Sequence, residues 1–336
     1  MRALPTVAAA VLALAALVTA APALVGLSTT AVLAHAVALR GAGALVLLAL
    51  AVAAAAVALR RRGRGRGEPD GDRAGAAVAG GLAAVLAGCA AVHVGVLLAR
   101  GVGNRSPGAG ADLVVVTLNT EVDGVSPAQL AALVEESGAD VVALPETSAE
   151  LAAAMAREAE QRTGQGFQVF TEAVDGRPVA ATSLLVSARL GEHERGPAPA
   201  LDLSAVAARP VAGGGPVLVA VHPPPPIPGS FPMDRWSAQA ATAVDACAAV
   251  PGAVAAGDLN ATLDHAPLRD LGPCVDAAAQ TGAGGLGTWP ASVPALLGSP
   301  IDHVLVDARA WEPLSAQVVR VGGTDHRGLV LGLAAR

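Results

Sequence analysis

The sequence contains no lysine and no tyrosine, and all 22 of its positive side chains are arginine. Chemistry that needs a P-loop lysine, a lysine Schiff base or a tyrosine nucleophile is therefore excluded. Aromatic residues are scarce, with three Phe and three Trp in 336 positions, so few rings are available to stack on a base or sugar. Cysteine is also rare. None of the three has a Cys or His partner at zinc-finger spacing, which argues against a structural zinc site. Cys89 lies in an apolar run and reads as packing. Cys247 and Cys274 flank the segment Gly257-Asp258-Leu259-Asn260 and can pair in an oxidising compartment.

Apolar residues are abundant but unevenly spread. Up to about residue 105 there are three uncharged stretches, Ala3 to Leu39, Gly41 to Leu59 and Ala74 to Ala99. Each is long enough for a helix across a bilayer, which takes about 20 residues. A cleaved signal peptide accounts for the first stretch but not for two more. Residues 1–100 are thus expected to be a membrane anchor of three transmembrane helices. The first should end near Pro22, Gly26 and Ser28-Thr29-Thr30, followed by a short external loop. Arg60, Arg61, Arg62, Arg64, Arg66 and Arg73 crowd the connection between the second and third stretches, while Arg40, Arg100 and Arg105 fall on the other side. The positive-inside rule ignores Glu68, Asp70 and Asp72, so this connection and the N-terminus are expected to be cytoplasmic. Everything after Arg100 then lies outside. Reading the Arg run as a nucleic-acid site loses to its position between two spans.

Gly101 to Gly110, with Asn104, Ser106 and Pro107, has the composition of a flexible tether, giving a linker at 101–111 and an external domain at 112–336. From Asp112 onward there are 12 Arg against 25 Asp plus Glu, a difference of −13. Such a surface repels polyanions and argues against a dedicated nuclease. Strand-length runs occur at Leu113 to Leu118, Val141 to Leu144, Ser183 to Ser187, Val217 to Val221, Ala253 to Ala256, Ile301 to Val306, Gln317 to Val321 and Leu329 to Leu333. Ser126, Pro127 and Gln129 form a capping signal for a helix that Gly138 ends. Further helices are expected at Ser148 to Arg162 and Met233 to Val250. Strands dominate the second half, and only some pairs are separated by a helix. A mixed sheet or two packed sheets fits this order better than a doubly wound parallel sheet. Pro223 to Pro226 forces a stiff extended segment directly after His222.

Polar residues recur where these strands end: Asn119, Glu146, His222, Asp258 with Asn260, Asp302 with His303, and Asp325 with His326. Taken singly, each has an ordinary role as a turn former or a satisfied histidine. Taken in order, TLN at Asn119, PE at Glu146, VH at His222, GDLNA at Asp258 and Asn260, IDHVL at Asp302 and TDHRGLV at Asp325 and His326 resemble the endonuclease/exonuclease/phosphatase superfamily. The resemblance covers nearly all of Asp112 to Ala335. GTWP at Thr288 to Pro290, and HPPPP followed by Trp236, look closer still to its membrane-bound bacterial branch, which includes the VanJ-type glycopeptide-resistance proteins. Pro145 departs from the family, which commonly has Gln before the glutamate.

The resemblance implies an α/β (α+β) fold, a four-layer α-β-β-α sandwich of two packed mixed sheets, here preceded by the three transmembrane helices. It also implies roles. Glu146 would bind Mg²⁺ or Mn²⁺, with Asn119 close by and Asp325 contributing. Asp258 and Asn260 would position or deprotonate the attacking water. Asp302 would orient His326, and His326 with His222 would face the phosphoryl oxygens. A hard cation takes oxygen ligands and usually only one or two carboxylates, which Glu146 can supply.

The function expected is a membrane-anchored, divalent-metal-dependent phosphoesterase acting on a lipid-linked or cell-envelope phosphate or pyrophosphate. The shortage of aromatics fits a substrate without a nucleobase. An extracellular metal-dependent nuclease is the same-class alternative, and a non-catalytic envelope binding or antibiotic-resistance protein the alternative from another class. The intact Glu, Asp, Asn and His set speaks against the second.

Overall fold

The computed structural model describes residues 3–22, 26–64, 71–108, 110–227 and 229–336. Four helices come first: α1 (Ala3–Ala20), α2 (Ala31–Ala38), α3 (Arg40–Arg64) and α4 (Gly71–Arg100). Among the described residues two helices, not three, are long and apolar enough to cross a membrane, over Arg40–Gly63 and Arg73–Arg100. The 24 residues of the first extend about 36 Å, enough for a hydrocarbon core of about 30 Å. The first apolar stretch is divided. Its α1 portion is the shorter apolar helix Thr6–Ala20, and after the turn around Pro22 and Gly26 the chain enters the eight-residue α2. The break falls where Pro22, Gly26 and Ser28-Thr29-Thr30 are expected to end the first helix, but part of the segment expected as a loop is the short helix α2. Ala16 and Ala20 of α1 pack with Leu47 and Ala51 of α3 and with Leu86 and Ala90 of α4. Arg66, one of the arginines that orient the connection between α3 and α4, and the acids Glu68 and Asp70 lie outside the described residues.

The remainder contains β1 (Leu113–Thr117), α5 (Pro127–Ser137), β2 (Val141–Pro145), α6 (Ala149–Thr163), β3 (Phe167–Ala173), β4 (Ala181–Ser187), β5 (His193–Gly196), β6 (Ser204–Pro210), β7 (Leu218–His222), α7 (Met233–Ala248), β8 (Val254–Asp258), β9 (Cys274–Asp276), α8 (Ala277–Gln280), β10 (Asp302–Asp307), β11 (Trp311–Arg320) and β12 (Arg327–Ala335). They form two mixed six-stranded sheets, ordered β11-β12-β1-β2-β4-β3 and β5-β6-β7-β8-β10-β9. Because side chains alternate along a strand, each sheet has two apolar faces to bury. The inner faces meet: Val115, Val141, Leu184 and Leu331 of the first sheet join Val206, Leu218, Val254 and Val304 of the second in one core. The outer face of the first sheet, with Val116, Val142 and Leu185, is covered by Leu130 and Val134 of α5 and Met155 of α6. That of the second, with Val219, Val221 and Leu305, is covered by Trp236, Ala240 and Val244 of α7. Four layers result, as the resemblance implies.

Local signals explain the helix ends. The Ser126 hydroxyl accepts from the Gln129 N–H while the Gln129 side chain accepts from the Ser126 N–H, and Gly138 closes α5 in a left-handed conformation. A disulfide joins Cys247 at the end of α7 to Cys274 in β9. Segment 101–111, whose composition is that of a tether, runs along β11: Asn104 donates to the Val318 carbonyl and accepts from its N–H, and Arg105 N–H donates to Ala316.

Candidate active site

The parallel pairs β1–β2 and β7–β8 point their C-terminal ends to the same edge of the sandwich, and the antiparallel β10 and β12 begin there. Asp302 lies opposite Asp258 in the β8–β10 register. Thus residues far apart in sequence leave their strands at one place. Glu146, His222, Asp258, Asn260, Asp325 and His326 line one cavity of about 330 Å³. Asn119 and Asp302 stand behind it and hold residues that face it.

Asn119 Nδ2 donates to Glu146 Oε1 at 3.0 Å and to Asp258 Oδ2 at 3.1 Å. Its Oδ1 accepts the Glu121 N–H, so Asn119 reaches a cation through oxygen only if the amide turns over. His222 Nε2 lies 3.9 Å from Glu146 Oε1 and 3.8 Å from Asp258 Oδ2, beyond hydrogen-bond distance of either. On the other side, His326 Nδ1 bonds Asp302 Oδ2 at 2.9 Å, leaving Nε2 at 3.7 Å from both Asp258 Oδ2 and Asp325 Oδ1. Asn260 N–H donates to Asp258 Oδ1, and Asn260 Nδ2 donates to the Pro223 carbonyl. Glu146 and Asn260 both have positive φ, 55° and 49°. Such conformations are uncommon outside glycine and gather where function requires them. Eight of the nine polar residues read from the sequence therefore share one neighbourhood. His303, named beside Asp302, points elsewhere: Nδ1 is paired with Asp276 and Nε2 with the Ala261 carbonyl, so it is a buried structural histidine.

Burial and charge divide the two pocket imidazoles. Burial of His222, reinforced by the neighbouring His326 cation, lowers its pKa to about 3 and keeps it neutral. Burial also opposes charge on His326, but the Asp302 carboxylate, its hydrogen bond, Asp258 and Asp325 together raise the pKa to about 10, so this ring stays protonated. Asp258 is pushed above the ordinary carboxylate range by burial and by Asp302, and Glu146 by burial, against its bond from Asn119.

The donor set fits a divalent cation. Asp258, Asp302 and His326 present ligand atoms within 4.8 Å of one another. Asp302 is already committed to a protonated His326, which repels a cation. Glu146 and Asp258 supply hard oxygens whose buried negative charge calls for a counter-ion.

Several residues that shape the site were not recognised as such in the sequence. Glu121 lines the cavity and accepts the Asp325 N–H through Oε2. Its one signal is being an acid two positions after Asn119. Thr288 Oγ1 accepts from the N–H groups of Ile301 and Asp302, and Trp289 Nε1 donates to Asp325 Oδ2 at 2.7 Å. Trp236 Nε1 donates to the Asn260 carbonyl. The GTWP and Trp236 features thus act by fixing site residues. Ala34, His35, Ala38 and Leu39, at or just beyond α2, also line the cavity, although the sequence places them in a short loop of the membrane anchor and gives them no part in the site.

The chain belongs to the endonuclease/exonuclease/phosphatase family, whose model matches residues 116–326. It is accordingly a metal-dependent phosphoric ester hydrolase. No curated protein matches the chain. Similar solved structures include an endonuclease/exonuclease/phosphatase from Beutenbergia cavernae DSM 12333, with 21% identity, coverage of 67% of this chain and 72% of that one, and a TM-score of 0.49. The human Nocturnin catalytic domain with bound sulfate anion has 14% identity, coverage of 67% and 94%, and a TM-score of 0.48. A mannosyl-6-phosphatase from Bacteroides thetaiotaomicron VPI-5482 has 13% identity, coverage of 66% and 100%, and a TM-score of 0.48.

Proposed function

We propose that the protein is anchored in a membrane by residues 1–100 and that its 112–336 domain uses Mg²⁺ or Mn²⁺ to hydrolyse a lipid-linked or cell-envelope phosphate or pyrophosphate on the outer face. The observation that carries this reading is the placement of the polar cavity. Arg40 and Arg100, where the two membrane-length helices end, both bond Asp264, four positions beyond Asn260. The site therefore sits beside the ends of the apolar helices. Orientation is supported by Arg60, Arg61 and Arg62 at the far end of α3 and by the Cys247–Cys274 disulfide, which suits an oxidising compartment.

Glu146 would hold the cation, with Asp325 contributing at the rim and Asn119 beside it fixing the Glu146 and Asp258 carboxylates. When bound, the cation neutralises charge on the phosphoryl oxygens. Asp258 and Asn260 orient a water for in-line attack. The water oxygen bonds phosphorus, its proton passes to Asp258, whose raised pKa suits a base, and the bond to the leaving oxygen breaks. His326 Nε2, kept protonated by Asp302, faces the phosphoryl oxygens or gives its proton to the leaving oxygen. His222 stays neutral and can donate one hydrogen bond from Nε2.

The test is hydrolysis of isoprenoid pyrophosphates, lipid monophosphates, DNA and RNA by the full chain, with chelator and then Mg²⁺ or Mn²⁺ added back. Turnover of the lipid phosphates, lost with chelator and in Asp258→Ala and His326→Ala, is expected. Preferential cleavage of nucleic acid would replace this reading with that of an external nuclease, and metal-independent turnover would remove it.

A further inference from the structure

The active-site cavity has a mixed lining. Beside the polar and acidic floor described above, its wall includes the apolar Ala34, Ala38 and Leu39, with His35, from the α2 region, and Pro225, Ile227 and Ile301 from the catalytic domain. Hydrocarbon and phosphate-handling groups lining one cavity match an amphiphile, a phosphoester carrying an alkyl or prenyl chain. A volume near 330 Å³ accommodates the headgroup and the beginning of such a chain, since small-molecule pockets start at about 300 Å³.

Part of that wall is not supplied by the catalytic domain, so something must fix it in place. The loop immediately after Asp258 and Asn260 does so. Asp264 accepts two hydrogen bonds from Arg40, at 2.6 and 2.5 Å, and two from Arg100, at 2.8 and 2.9 Å. Arg40 directly follows Leu39. Its guanidinium is only 5% exposed and also meets His93 Nδ1 and the Ala20 carbonyl, so α1, α3 and α4 converge on this one aspartate. His265 Nε2 contacts the Ala34 carbonyl at 3.0 Å, and the Ala266 N–H donates to Ser28 Oγ. The Ala34 methyl is buried in the same core as Trp236 and Leu259. One loop, 262–266, thus ties α2 to the site and continues into the GDLNA motif.

We infer that α2 is the chain-recognising wall of the active site and that Asp264, acting through Arg40 and Arg100, is the positioning residue that keeps it there. The inference rests on the reading of the floor as a phosphate site. It adds that the membrane anchor takes part in substrate selection as well as tethering.

The test measures binding of methyl, butyl, hexyl and octyl phosphonate to the full chain in lipid nanodiscs with Mg²⁺, by titration calorimetry. For the wild type, affinity should rise with each methylene, by up to about fourfold per group if the chain is fully buried. Asp264→Asn should bind methyl phosphonate as the wild type does but show a much shallower rise with chain length. Should Asp264→Asn melt before the assay temperature, Leu39→Ser and Ala38→Gln provide the same reading without touching the ion cluster: each should flatten the dependence. A wild type without chain-length dependence, or equal dependence in all variants, overturns the inference. Chain-length dependence that the variants lose, together with no turnover of lipid phosphates, upholds the α2 wall while rejecting the substrate proposed above.

Discussion

His222 and His326 occupy one pocket in opposite charge states: burial and the His326 cation keep His222 neutral, whereas Asp302, with Asp258 and Asp325, holds the proton on His326. Asp302 bonds His326 directly, whereas the Nδ1 of His222 is buried without a hydrogen-bond partner. Removing that carboxylate should therefore remove the proton donor while leaving the fold in place. Asp302→Asn is expected to lower kcat by about 10²–10⁴-fold with an unchanged circular dichroism spectrum, read by steady-state hydrolysis. Asp264 gives a second residue-scale expectation. Burial pushes its pKa up, but the bonds from Arg40 and Arg100 outweigh this and hold it at about 2, below the ordinary 3.8. The folded value is the lower one, so its contribution, of order 2 kcal/mol, is present above about pH 4 and lost as pH falls through 2. Thermal melts of wild type and Asp264→Asn should differ at pH 6 and converge toward pH 2.

At the level of elements, the site depends on the parallel pairing of β7 and β8, which sets His222 beside Asp258. Gly257 lies opposite Val221 in that pairing, and a Cβ added there would meet the Val221 carbonyl oxygen at 1.9 Å. Backbone cannot yield as a flexible side chain can. Gly257→Ala should cost about 1–3 kcal/mol or more and lower Tm by about 3–10 °C, measured by calorimetry. The disulfide between α7 and β9 closes a loop with a sequence separation of 27 around the GDLNA motif. Replacing both cysteines by serine should reduce stability by about 2–4 kcal/mol in denaturant titration. Strands rich in β-branched residues, such as β1 and β2, were readable from sequence, and so was the capping box of α5. The edge strand β3, FQVFTEA, and the alanine-rich β6, SAVAARP, were not. The alanines of β6 carry weak strand preference, and its pairing beside β7 selects the extended form; β3 has strand-favouring Phe, Val and Thr but lies between helix-like neighbours and is fixed by pairing with β4.

For the molecule as a whole, α3 and α4 are joined at one end by the Arg60 to Arg73 connection and meet at Asp264 through Arg40 and Arg100 at the other. This antiparallel pair puts the catalytic domain on the side opposite the Arg-rich connection. An alkaline phosphatase reporter fused after Arg336 should be active in intact cells, and one inserted near Arg62 inactive. The reverse pattern would place the active site inside. With two long helices in place of three expected spans, the predicted side of the catalytic domain is unchanged, because Arg40 and Arg100 lie at the same end.

The chain by itself determined which residues meet at the candidate site: Asn119, Glu146, His222, Asp258, Asn260, Asp302, Asp325 and His326 each end, follow or precede a recognisable strand, in an order that marks the family. Strand ends are legible because apolar alternation stops where polar turn residues begin. Tertiary structure alone decided what surrounds them. Ala38 and Leu39 are indistinguishable in sequence from lipid-facing residues, and Asp264 from the other acids of the domain. Their positions beside the site arise only because a buried carboxylate must be paired, and the arginines that satisfy it belong to the two long apolar helices.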